Sequence, residues 1–272
     1  MTVISREVLQ DSLYGTPLLY FLHLPRTGGT TINRMLKYIF GDRAIFHADL
    51  LAHHGGEAGL SAFLAAENDV HHRAILFTGH FGIAHPLVSL SPRPAGIAAV
   101  LRHPVERVVS LYDYIRGTPD HPEHPALSVL SLNKALDAVP QFTAHCRNAQ
   151  LRTLFNATDQ AGIKAALSCQ PYLLGRVDAL EVFAQRLLAQ FRFRLGGALP
   201  RSNERPKLEC VAPARLQPDY PTALARLEAD NRAELAFFAQ LPPIFTNWSR
   251  FANFNRPFLR PGPVHNSSPA HH

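Results

Sequence analysis

Cysteine is scarce in this 272-residue chain: Cys146, Cys169 and Cys210 are the only three, and no two stand in a CxxC spacing. That excludes a disulfide framework and a zinc ribbon, and it predicts reduced thiols in a reducing compartment. Charge is sparse too, with Asp, Glu, Lys and Arg at 18% and a formal net charge of +6. So mild a surplus suits an anionic ligand and equally an ordinary basic surface. Long apolar runs are missing; none approaches the roughly 20 residues of a membrane span. The opening MTVISREVLQDSLYGTP lacks the basic start and apolar core of a secretory signal. A soluble, cytoplasmic protein is expected, in which the Asn-x-Ser/Thr triplets at Asn156, Asn247 and Asn266 have no consequence. Fifteen histidines are present, but no HExxH motif and no Cys/His cluster, so no metal is predicted.

What the chain does have is apolar content, 46% of residues, enough for one large core. No linker composition interrupts it, and a single domain over 1–255 is expected. The proline-rich and polar segment 256–272 reads as a flexible tail. LLYFLHL (18–24), between Pro17 and Pro25, has the signature of a buried strand, as do segments within 73–81, 96–104 and 172–177. Helical spacing runs over about 29–40, where Ile32, Met35, Leu36 and Ile39 share a face. It returns after Pro104, with Val105, Val108, Val109 and Tyr112 in line. Further helices are predicted near 126–138, 143–155, 160–168, 178–190 and 221–240. Strands alternating with helices predict an α/β fold with a mainly parallel central sheet flanked by helices.

The chemistry concentrates where the first strand ends, in HLPRTGGTT. Ligands of open parallel sheets bind beyond the carboxyl ends of the strands. A loop there that enters a helix offers backbone N–H groups and a positive dipole end. Gly28 and Gly29 allow close wrapping, Thr27, Thr30 and Thr31 offer hydroxyls, and Arg26 adds a permanent charge. The plain alternative is a glycine turn with helix-capping threonines. A Walker A spacing is absent.

A second anion site is predicted at LRHPVERVVSLYDYIR. Arg102 ends a strand, where burial of its charge calls for an anion. Ser110, eight residues on, returns near the same direction. Arg107 and Arg116 of the same helix read as structural.

Together, HLPRTGGTT and LRHPVERVVSLYDYIR resemble the signature segments of sulfotransferases that use 3′-phosphoadenosine 5′-phosphosulfate (PAPS). The nearest branch is the carbohydrate type that includes heparan sulfate 2-O-sulfotransferases and bacterial relatives. CRNAQLRTLF is similar to that family's Asn-x-Gln-x-Arg-x-Leu stretch. YLLGRVDALEVFAQRL resembles the segment after it, with the usual Glu-Arg pair displaced. RSNERPK resembles a late loop that closes over the nucleotide, which brings in Asn203 and Lys207. The resemblance spans about residues 18–240 and implies a P-loop-like three-layer fold. It also implies that the first loop holds the 5′-phosphosulfate while Arg102 and Ser110 hold the 3′-phosphate. The family's loop usually carries lysine where this chain has Arg26, a forked rather than compact cation.

Sulfuryl transfer needs alignment, charge stabilisation on the leaving phosphate and a base for the acceptor hydroxyl. His80, in FTGHFG after a strand, is the expected base, and the heparan sulfate branch carries its catalytic histidine in a similar Gly-His segment. A histidine merely bonded to a backbone carbonyl is the alternative. His85 is a reserve base, His23 a packed residue and His103 a local contact. The acceptor is expected to be a glycan, glycolipid or small hydroxylated molecule, met by 47–72 and 117–145. A kinase or NTPase with a degenerate phosphate loop, and a non-catalytic nucleotide-binding relative, are the competing readings.

Overall fold

A computed structural model describes residues 17–41, 44–66, 70–71, 74–195, 199 and 213–251. Asn203, Lys207, Cys210 and the segment 256–272 lie outside them.

The chain enters on strand β1 (Leu18–Leu22) and crosses through helix α1 (Gly29–Phe40) to β2 (Ala44–Phe46). Helices α2 (His47–His54) and α3 (Glu57–Ala66) lead to β3 (Leu76–Gly79). After the short α4 (Pro86–Ser89) come β4 (Ala95–Leu101) and α5 (Pro104–Arg116). Then follow α6 (His124–Leu127), α7 (Leu132–Ala138), α8 (Pro140–Ala144), α9 (Ala149–Phe155) and α10 (Gln160–Cys169). Strand β5 (Tyr172–Arg176), α11 (Leu180–Ala189), α12 (Tyr220–Asp230), α13 (Arg232–Gln240) and β6 (Ile244–Thr246) complete the order.

The six strands lie in the order β2-β3-β1-β4-β5-β6. All neighbours are parallel except β5 and β6, which are antiparallel. From β1 the chain turns toward β2 on one side, and from β4 it turns toward β5 on the other. The connections therefore part company at the carboxyl ends of β1 and β4, where open sheets of this kind leave a crevice.

Helices cover both faces, because β1 is buried along its whole length. Leu19 and Phe21 pack with Ile32, Leu36 and Leu187 on one face. Leu18, Tyr20 and Leu22 pack with Leu60, Leu151 and Leu154 on the other. Each such side chain contributes about 1.5–3 kcal/mol by leaving water. At the opposite end of the sheet the buried Arg93 donates to the carbonyls of His71 (2.8 Å), Ala74 (2.6 Å) and Pro17 (3.3 Å), tying the entries of β1 and β3 together.

On the expected face of α1, Ile32, Met35 and Leu36 are buried and Ile39 is partly buried, with Phe40 added; the expected face of α5 is buried as read. Three expected helices are each two. The one near 126–138 restarts at Ser131, whose hydroxyl caps α7. The one near 143–155 breaks at Asn148, which sits at φ 45°. The one near 221–240 breaks at Asn231. The last two breaks interlock. Asn148 N–H donates to Asn231 Oδ1 at 2.8 Å, and Asn231 Nδ2 donates to the Cys146 carbonyl at 2.7 Å. Asn148 Nδ2 in turn donates to the Asp230 carbonyl at 3.0 Å. An asparagine side chain that satisfies the other break's backbone makes each interruption cheap. Strands β2 and β6, three residues each, were not expected.

Candidate functional site

The first loop leaves β1 and tightens at once. Arg26 takes φ 66° and Gly28 φ 89°, and Gly28 caps the amino end of α1. A side chain at Gly28 would strain that backbone and meet Leu180 at 3.3 Å. Gly29 is needed for another reason: a β-carbon there would lie 1.9 Å from His23 Cδ2. The helix start and the His23 imidazole are thus pressed together.

The threonines divide. Thr27 is buried, and its hydroxyl donates inward to the Leu24 carbonyl at 2.9 Å, so it braces the loop instead of offering its proton to a ligand. Thr31 is buried as well. Thr30 is exposed at the helix start.

Arg26 reaches across to the second segment. Its Nε donates to Ser110 Oγ at 3.2 Å, and its guanidinium lies 4.5 Å from the centre of the Tyr114 ring. Arg102 Nη1 donates to the Arg26 carbonyl at 3.3 Å. The two expected anion sites therefore form one continuous strip across the β1/β4 crevice, with Ser110 serving Arg26 rather than pointing with Arg102 alone. Glu106 adjoins it: Arg102 Nη2 stands 4.0 Å away, and Arg215 Nη2 contacts both carboxylate oxygens at 2.5 and 2.6 Å. Arg215, from a 3-10 turn at Ala214–Leu216, offsets that acid and was not anticipated from the sequence.

Arg102 is held by its backbone. Gln150 Oε1 accepts its N–H at 3.0 Å, and Gln150 Nε2 donates to its carbonyl at 2.8 Å. Gln150 is fixed in turn by the fully buried Glu234, which accepts from Gln150 Nε2 at 2.5 Å and from Gln150 N–H at 2.9 Å. Arg107 is structural, as expected: it is buried and donates to the His145 carbonyl.

His80 emerges at the carboxyl end of β3, beside β1. Its Nδ1 lies 2.7 Å from the His23 carbonyl. A carbonyl only accepts, so Nδ1 carries the proton and Nε2 of the neutral ring offers its lone pair. The ring is exposed, yet the atoms crowding its inner side pull its pKa below the ordinary histidine value, the His23 carbonyl opposing in part. The carbonyl bond of the plain alternative is thus present, and it also orients the ring as a base requires. The His23 ring stacks on it with centres 4.3 Å apart. Burial, with the neighbouring His80, lowers His23 to about 3.

His85 is unsuited to the reserve role. Its Nδ1 accepts the Leu87 N–H at 3.1 Å and its Nε2 meets Glu57 at 2.8 Å, so both nitrogens are engaged. Among the described residues, His47, Glu57 and His85 form one group whose ligand atoms lie within 4.8 Å of one another, close enough for a metal. The Leu87 bond forces the His85 proton onto Nε2, toward Glu57, which disfavours metal ligation there. His103 touches Phe238, ring centres 5.9 Å apart, as a local contact. Burial pushes the Cys146 thiol up to about 12, so it is no nucleophile.

His23, His47, His80 and His145 all sit below the ordinary value of 6.5, chiefly through burial. The unfolded chain takes up these protons near 6.5 and the native state does not, so stability is lost as pH falls below that value. The urea midpoint is expected to drop between pH 7.5 and pH 5; an unchanged midpoint would contradict the shifts.

No protein-family model matches the chain, and no curated protein matches it.

Proposed function

We propose that the chain is a PAPS-dependent O-sulfotransferase. The observation that carries this reading is the placement of two arginines and an oriented imidazole on three adjacent strand ends. Arg26 follows β1, Arg102 follows β4 and His80 follows β3 on the other side of β1. The strip from the first loop to Arg102 suits the two phosphate positions of one nucleotide. The sulfotransferase resemblance of the two segments supports the same assignment.

The acceptor hydroxyl oxygen would attack sulfur while His80 Nε2 takes its proton. The bond from sulfur to the bridging oxygen breaks, and that oxygen's electron pair remains on the 5′-phosphate. Arg26 and the loop N–H groups, fixed before reaction, stabilise the departing charge. The acceptor, a carbohydrate or other hydroxylated molecule, would be met by the segments 47–72 and 117–145, of which residues 67–69 and 72 lie outside the described residues. Among the described residues no helix is long and apolar enough to cross a membrane. A reducing, cytoplasmic setting fits the scarce cysteines.

The test is transfer of ³⁵S from labelled PAPS to a panel of glycans, lipids and phenols, with binding of adenosine 3′,5′-bisphosphate measured by calorimetry. Arg102→Ala should weaken that bisphosphate by about ten- to a hundredfold, the range for a hydrogen bond to a charged group. Adenosine 5′-monophosphate should be held almost as before. Equal losses for both nucleotides would undo the 3′ assignment. Binding without transfer would favour a non-catalytic relative, and a magnesium requirement a phosphoryl-transfer enzyme.

A further inference from the structure

His23 reads from the sequence as a packed residue, yet its surroundings give it a defined chemical direction. Thr78 Oγ1 donates to Asn33 Oδ1 at 2.5 Å, which leaves the Asn33 amide nitrogen facing His23. That nitrogen stands 3.2 Å from His23 Nδ1. An amide nitrogen only donates, so Nδ1 accepts and the ring proton resides on Nε2. Thr78 and Asn33 are positioned for this by their elements: Thr78 is buried in β3, and Asn33 is one turn into α1.

The Nε2 side of the ring is the side at the phosphate loop. A β-carbon on Gly29 would lie 2.5 Å from Nε2, so the imidazole N–H sits against the first residue of α1. Gly29, with no β-carbon, lets the ring edge take that place. His23 as a whole is only partly buried.

We infer that His23 is a neutral hydrogen-bond donor, through Nε2–H, to the group bound in the first loop, and that Thr78 and Asn33 set its tautomer. The inference rests on the reading of that loop as the 5′-phosphosulfate site. A neutral donor holds a non-bridging oxygen without adding charge, leaving Arg26 as the cation of the loop. Because His23 also carries the carbonyl that orients His80, the ring and backbone of one residue would meet donor and acceptor sides of the reaction.

The measurement uses the full chain. ¹⁵N spectra should show His23 as the Nε2–H tautomer at neutral pH, with that signal moving on addition of adenosine 3′,5′-bisphosphate. His23→Phe should weaken the bisphosphate about tenfold and leave adenosine 3′-monophosphate unchanged, since only the 5′ group meets the ring. Thr78→Val, which keeps the side-chain shape, should release the Asn33 amide, mix the His23 tautomers and weaken the same nucleotide. It serves where the phenylalanine variant does not fold. An Nδ1–H tautomer, or equal affinities in wild type and both variants, overturns the inference while leaving the loop's assignment intact. Failure of the wild type to bind the bisphosphate removes the loop reading and this inference with it.

Discussion

Replacing His80 by alanine is expected to cut sulfuryl transfer by about 10²–10⁴-fold, the usual contribution of a positioned general base. Binding of adenosine 3′,5′-bisphosphate should hardly change. The separation follows from placement: His80 follows β3, whereas Arg26 and Arg102 follow β1 and β4, and among the described residues its hydrogen bond to this region is to the His23 carbonyl. That bond fixes Nδ1 as the protonated nitrogen and leaves Nε2 to receive the acceptor's proton. The atoms crowding its inner side keep the imidazole pKa below the ordinary histidine value, so the base form predominates at neutral pH. The rate in wild type should therefore stay level down through neutrality and fall only in acid below 6.5. His80→Gln, which can donate and accept but not hold a proton, should be as inactive as alanine. Turnover unaltered in either variant would remove His80 from the mechanism and leave only its stacking on His23.

How far these features could be read beforehand depended on whether their cause is local. β1 shows as five apolar residues behind a proline, and α5 as a proline followed by helical spacing; both causes lie within the element. Arg26, Arg102 and His80 could be placed near one edge of the sheet from the sequence because each follows a strand that shows in this way. Strands β2 and β6 are too short to show a period. The helix breaks at Asn148 and Asn231 are legible only in pairs, since the Asn231 and Asn148 side chains satisfy backbone 83 and 82 residues away. The same holds for Thr27, whose hydroxyl turns inward because of the loop's backbone path. Gln150 falls in the Asn-x-Gln-x-Arg-x-Leu stretch, but its task became visible only with Arg102 on one side and Glu234 on the other.

Glu234→Ala should cost about 3–5 kcal/mol of stability, the range for removing one partner of a buried charged network. The carboxylate has no exposed surface and serves the amino end of α9, accepting from the N–H of Gln150 (2.9 Å) and of Leu151 (3.4 Å) as well as from the Gln150 side chain. Negative charge is favoured at that helix end, and the buried Arg107 guanidinium, whose charge burial disfavours and Glu234 favours, stands nearby. Truncation would leave three donors without their acceptor and remove a negative charge that favours the Arg107 cation. Glu234→Gln keeps the shape and one acceptor oxygen, so its cost should be smaller, about 1.5–3 kcal/mol. The second consequence separates a bystander from a positioning residue. Gln150 would lose its anchor, and with it Arg102 would lose the clamp on both sides of its peptide. In the folded glutamine variant, affinity for adenosine 3′,5′-bisphosphate should fall while that for the 5′-monophosphate holds, the pattern expected of Arg102→Ala in milder form. Urea titrations give the first quantity and calorimetry with the two nucleotides the second. A Glu234→Gln protein with lowered stability but undiminished preference for the bisphosphate would show that the buried carboxylate holds the helices together without governing the arginine.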